Sequence, residues 1–131
     1  MGVPNTEVTP IAGTITGELP DGASNLGQVR YTPSDVVVLA AAGSTLATGA
    51  AVTKHMNYVT GANGANGVTL PAINVGESYL ISNASASTLS VWPNSSTISI
   101  NAAAGGTAFT ISSANAGFAF TGVSASQIGV N

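Results

Sequence analysis

Between residues 56 and 123 the chain repeats one pattern: two large apolar side chains flanking a single residue, then a loop of Gly, Asn, Ser and Ala. Val68 and Leu70 flank Thr69, Tyr79 and Ile81 flank Leu80, and Leu89 and Val91 flank Ser90. Ile98 and Ile100, Phe109 and Ile111, and Phe118 and Phe120 continue the series. Successive side chains on a strand point to opposite faces, so each pair can face a common core. Short strands recurring about every ten residues are the rhythm of an antiparallel β-sandwich or barrel. The pattern predicts an all-β, antiparallel β-sandwich, jelly-roll-like, with eight or nine short strands after Pro33.

Upstream, three consecutive valines open a strand over residues 36–42 in preference to the helix that Ser34-Asp35 could cap. Residues 45–52 stay ambiguous between strand and helical turn. A strand over residues 54–60 puts Met56 and Tyr58 on one face and Asn57 and Val59 on the other. The two Asn-Gly pairs in residues 61–67 predict a tight hairpin turn, because both residue types accept positive φ. A phosphate-cradling loop is the weaker reading there, since Val68-Thr69-Leu70-Pro71 continues as a strand rather than a helix. Leu89-Ser90-Val91-Trp92-Pro93 places Trp92 opposite Leu89 and Val91, either under a second layer or, as the favoured reading, at a subunit contact. Ile128 and Val130 supply a last strand.

Residues 1–33 differ in kind. Pro4, Pro10, Pro20 and Pro33 alternate with Gly13, Gly17, Gly22 and Gly27, which predicts an extended N-terminal arm with a short strand near residues 14–16. Residues 34–131 form the sandwich domain in this reading. The opening ten residues have neither the basic start nor the apolar core of a secretory signal, so none is expected. Residues 36–52, the most apolar long stretch, are too short and too often interrupted by Gly, Ser and Thr to span a bilayer.

Charge changes the picture most. Acidic and basic residues make up 5% of the 131 residues, against about 25% in an ordinary domain. With hydrophobic residues at 44% and a net charge of -3, the composition argues against disorder. Arg30 and Lys54 alone cannot neutralise a phosphate backbone or coat an anionic bilayer, so neither nucleic acid nor a membrane is an expected partner. The chain has no cysteine, which removes disulfides and thiolate metal sites. A largely neutral exterior of Ser, Thr, Asn and Gly suggests that other subunits cover much of it.

Candidate chemistry is correspondingly thin. His55 is the only histidine, and a zinc site ordinarily takes several His or Cys ligands. No Gly-x-Ser-x-Gly elbow accompanies it, and it reads as a strand residue beside Lys54. From Met56 onward the only acid is Glu77, which is expected to bond within the turn after Asn74-Val75-Gly76; Asp21 and Asp35 would reach it only if the leader folded back. Paired carboxylates for glycosidase work and clustered oxygens for calcium are therefore not expected in the sandwich. Asn83-Ala84-Ser85 and Asn94-Ser95-Ser96 have the form of glycosylation acceptors. The predicted site content is none: no catalytic residue, no cofactor, no metal and no small-molecule substrate.

Tyr58-Val-Thr-Gly-Ala followed by Gly67-Val-Thr-Leu-Pro71 resembles a module of tailed-bacteriophage structural proteins, in which a Gly/Asn turn leads into a Val-x-Leu-Pro strand. Tyr79-Leu-Ile-Ser-Asn83, Leu89-Ser-Val-Trp-Pro93, Ile98-Ser-Ile100 and Phe118-Ala-Phe120 are similar to its later segments. The likeness runs from Tyr58 to the C-terminus. The module often closes on a tryptophan where this chain has Gln127-Ile128. The resemblance implies a non-enzymatic virion component, commonly trimeric: a capsid decoration (cement) protein on the outer surface of the head, with the major capsid protein as partner. The alternative it implies is a fibre-tip or carbohydrate- or receptor-binding module, for which the chain offers few aromatic rings to spare.

Overall fold

The computed structural model describes residues 35–112 and 114–131. These lie in the second of two compact units of the chain, which runs from Tyr31 to Asn131. The arm expected over residues 1–33, with its strand near residues 14–16 and its boundary at Pro33, lies outside the described residues.

Among the described residues ten strands form two mixed sheets. The first sheet has the order β1 (Val36–Ala40), β3 (Met56–Thr60), β5 (Ser78–Asn83), β9 (Gly117–Ser124), β10 (Gln127–Val130), β7 (Ser99–Ile100). The second has β2 (Ala50–Ala51), β4 (Gly67–Thr69), β6 (Leu89–Trp92), β8 (Phe109–Ile111). Ten rather than eight or nine strands arise because β2, a pairing of only two residues, lies in the stretch whose alternation is ambiguous.

The period-two pairs point where alternation puts them. Val68, Leu70, Tyr79, Ile81, Leu89, Val91, Ile100, Ile111 and Phe120 are buried in one cluster fed by both sheets, and Ile98, Phe109 and Phe118 pack against it. Phe109 meets Phe118 and Phe120 edge to face, with ring centroids 5.3 and 5.6 Å apart, the arrangement ring quadrupoles favour.

The pairing direction corrects the all-antiparallel expectation. β1, β3 and β5 lie parallel, with Val36 beside Met56 and Met56 beside Leu80. β2, β4 and β6 are likewise parallel, with Ala50 beside Val68 and Val68 beside Val91. The first six strands thus alternate between the sheets, winding round the core two strands per turn. Only the closing strands run antiparallel: β8 on β6, β9 on β5 and β10 on β9. Parallel neighbours need a crossover, and here each crossover is a strand of the opposite sheet rather than a helix.

Residues 61–66 are accordingly not a hairpin: β3 and β4 belong to different sheets. The loop is a built corner. Asn63 Oδ1 accepts from the Ala65 and Asn66 amides, both at 3.0 Å, while Asn66 Oδ1 accepts from the Asn63 amide at 2.9 Å. Asn66 Nδ2 then donates to the Ala41 and Gly61 carbonyls. Asparagine serves here through its side chain, holding a wide turn open, while Gly61 and Gly64 take the positive φ values. Gly67, at the corner's exit, is fixed by proximity: a Cβ there would collide with the Ser90 carbonyl of β6.

Trp92 is buried, which replaces the subunit-contact reading with the second-layer one. The ambiguous stretch forms a turn through residues 45–48 and then β2. That turn reaches β4, since Thr69 Oγ1 donates to the Leu46 carbonyl at 2.9 Å. At Gly49 a Cβ would press against Thr69 Oγ1 and, at 3.0 Å, Trp92 Cε3. The chain's own residues therefore cover this part of the second sheet's outer side.

Candidate functional site

Parallel winding brings together residues that sequence spacing kept apart. Asp35, His55 and Glu77 each stand one residue before a strand of the parallel triplet β1, β3, β5. They gather at the end of the first sheet where those strands begin. His55 Nε2 lies 3.3 Å from Glu77 Oε1, and His55 Nδ1 lies 4.0 Å from Asp35 Oδ1. The imidazole stacks on the Tyr79 ring at a centroid distance of 4.6 Å, and the Tyr79 hydroxyl donates to Glu77 Oε1 at 3.1 Å. Asp35 thus reaches His55 as part of the compact domain, without any folding back of a leader. The missed signal was a titratable residue immediately before each of three strands; it becomes legible only once those strands are known to be parallel and in register.

Glu77 also bonds in its turn as expected. Its Oε2 accepts from the Asn74 amide at 3.0 Å and from Asn74 Nδ2 at 3.1 Å. The Asn74 backbone N–H, above all, holds the Glu77 carboxyl below its ordinary range; His55, Tyr79 and the Asn74 side chain add to this against partial desolvation. Burial pushes the Tyr79 phenol above its ordinary value, and the bond to Glu77 and its charge push the same way.

The chemistry of this arrangement is that of a tie. In a nucleophilic triad one imidazole nitrogen turns to a carboxylate and the other to a hydroxyl. Here both nitrogens face carboxylates on different strands. Carboxylates on opposite sides of one ring do not converge on a shared point, and no group of three or more His, Cys, Asp or Glu among the described residues could hold a metal ion. Nor is any helix among them long and apolar enough to cross a membrane. Of the two glycosylation-like positions, Asn94 is exposed, but Asn83 is fully buried and bonded on every side-chain atom.

The second candidate is a surface. On β1, β3 and β5 the residues facing away from the core are Val36, Val38 and Ala40, then Met56, Tyr58 and Thr60, then Ser78, Leu80 and Ser82. Val38 is 68% exposed, Val36 and Tyr58 47% each, and Leu80 37%. Val36, Met56, Tyr58, Leu80 and Ser82 bound a shallow, almost wholly apolar depression. Tyr58 is the exposed aromatic ring among the described residues, with Trp92 and Tyr79 buried and the phenylalanines buried or half-buried. Comparison with protein-family models, with curated proteins and with solved structures gave no match to this chain.

Proposed function

We propose that this chain is a non-enzymatic structural protein of a phage virion: a homotrimeric capsid decoration (cement) protein. In this reading it sits on the outer surface of the head and stabilises the shell by bridging capsomers of the major capsid protein. Its two sheets are the layers of a jelly-roll-like sandwich whose first six strands are wound in parallel across both. The observation that carries the reading is the uncharged, apolar outer face of β1, β3 and β5 on a domain whose described charges are Asp35, Lys54 and Glu77. Such a domain is built for contact. Exposed apolar patches of this kind mark interaction surfaces, and subunit and shell contacts would cover the neutral exterior. The phage setting rests on the resemblance from Tyr58 onward. The tie made by Asp35, His55 and Glu77 supports a structural role for these titratable groups.

Co-sedimentation with purified shells tests the proposal. A protein that pellets with shells and raises their disruption temperature supports it; a protein that leaves both unchanged refutes it. A fibre-tip or carbohydrate-binding module is the second reading, and exposed Tyr58 beside Ser82 is what favours it, since sugars stack on such rings. Binding to a glycan panel that is lost in Tyr58→Ala, with no shell binding, would establish that reading instead.

A further inference from the structure

The two sheets treat their outer sides differently. Around Trp92 and Thr69 the second sheet is covered by the turn at residues 45–48 and by Gly49. On the first sheet, Val36, Val38, Tyr58 and Leu80 stand uncovered. We propose that this outer face of β1, β3 and β5 packs against other copies of the same chain. The inference rests on the homo-oligomer of the proposed function and names its contact.

The argument begins with alternation. A strand whose far side faces water ordinarily puts polar residues there. β1 instead carries Val36 and Val38 outward, β3 carries Met56 and Tyr58, and β5 carries Leu80. Because the strands are parallel and in register, these side chains form two rows across the sheet: Val36, Met56 and Leu80, then Val38, Tyr58 and Ser82. The result is one patch rather than scattered residues. The exposed fractions of Val36, Val38, Tyr58 and Leu80 amount to about two whole large side chains, on the order of 300–400 Å² of apolar surface per copy.

Charge and area point to a copy of this chain as the occupant. Asp35, His55 and Glu77 lie at the strand starts, off the two rows. A charged partner would have to desolvate its charges against the two uncharged rows, of which only the far one lies beyond the reach of strand-start groups such as Asp35 and Lys54. Another copy brings the same uncharged rows. An apolar contribution on this scale is the centre of an interface rather than all of it, since specific interfaces bury roughly 800 Å² per partner. Thr60, Ser82 and Ala119, half-buried and neutral, provide a rim that can join it without a desolvation penalty for charge. Around a three-fold axis the same rows of three copies can meet, which is the symmetry the proposed trimer requires.

Light-scattering mass measurement on the full chain tests this. The wild type is expected to be an oligomer at micromolar concentration. Val38→Asp places a charge at the most exposed position of the face and is expected to weaken association by about 100-fold or more, giving monomer. Val75→Asp, equally exposed at 68% but off these rows, is expected to keep the wild-type mass. Circular dichroism confirms that each variant is folded, and Leu80→Asp serves as the second substitution on the face. A monomeric wild type, or folded Val38→Asp and Leu80→Asp proteins of wild-type mass, overturns the proposal. Shell binding is read separately. An oligomer dissociated by Val38→Asp that never binds shells sinks the decoration reading alone, whereas a monomeric wild type that binds shells sinks this inference and the trimer but leaves shell binding standing.

Discussion

Among the described residues Asn83 is a fully buried polar side chain that ties several parts of the domain together, and replacing it is the most informative stability test. Its Nδ2 donates to the Ser87 carbonyl at 2.9 Å and to the Ile111 carbonyl at 3.1 Å, while Oδ1 accepts from the Ser85 amide at 2.9 Å. One side chain thereby joins the end of β5, the corner at residues 84–88 and β8 of the opposite sheet. Asn83→Leu keeps the volume and removes all three bonds. Each buried backbone group left unpaired costs about 1–3 kcal/mol. The Ile111 carbonyl belongs to a buried residue, but Ser85 and Ser87 are half-buried, so water can partly replace those bonds. Three groups therefore cost about 3–5 kcal/mol, offset by about 1–2 kcal/mol from burying an apolar side chain. The expected net loss of about 1–4 kcal/mol is a large share of the 5–15 kcal/mol typical of a domain. Urea unfolding should show a midpoint about 1–2 M lower with an unchanged slope. Asn83→Asp should be worse at neutral pH, because an anionic oxygen would face the Ser87 and Ile111 carbonyls. Burial would raise that carboxyl's pKa, so its stability should recover as the pH falls into the carboxylate range. An Asn83→Leu protein within about 1 kcal/mol of wild type would refute the reasoning.

Three further predictions follow from the packing and the tie. Phe120→Ala, at the centre of the buried cluster, should cost about 3–5 kcal/mol by chemical denaturation, and a loss under about 1 kcal/mol would mean the site collapses freely. Gly67→Ala should cost about 1–3 kcal/mol and speed hydrogen exchange in β4 and β6, because the new Cβ must push β4 off the Ser90 carbonyl; wild-type exchange there would contradict the close approach. Glu77→Gln should lower the melting temperature at pH 7. Because the folded state holds that carboxyl below its usual value of 4.5, its contribution is complete above that pH and is lost as the pH falls through the lowered value. The gap between wild type and variant should therefore close on acidification, and a gap still constant at about pH 3 would refute the assignment.

How much of this was legible in the chain depends on the range of the signal. Alternation is local, and it placed Val68, Leu70, Ile81, Leu89, Val91, Ile111 and Phe120 in the core as they are. It carries no information on which strand lies beside which. Tyr58 and Ser82 are neighbours across 24 positions, and nothing in either segment distinguishes that parallel pairing from an antiparallel one. The Asn-Gly pairs misled for a related reason: the same side chains that favour a two-residue hairpin also build the wider corner of Asn63 and Asn66. Trp92 was read by its residue type, whereas its burial depends on Gly49 leaving room above it. Asp35, His55 and Glu77 became a cluster only through the register of β1, β3 and β5. Distance along the chain was the obstacle for the pairing, for Trp92 and for the cluster, while at the Asn corner one local pattern serves two kinds of turn.

Winding two strands per turn also sets the unit in which this domain can change length. Each turn takes about 20 residues and is held by the turns before and after it, as in stacked repeats. Adding or removing a single residue within a strand would swap its inward and outward faces. Adding or removing a whole turn between β2 and β5 would leave both ends with their original neighbours. Relatives of this chain are therefore expected to differ in length by whole turns, with the height of the domain rising by one strand spacing, about 4.8 Å, in each sheet. Growth is open only from within the parallel stack. β8 and β9, lying antiparallel on β6 and β5, close it at the far side and fix where the lengthening must stop.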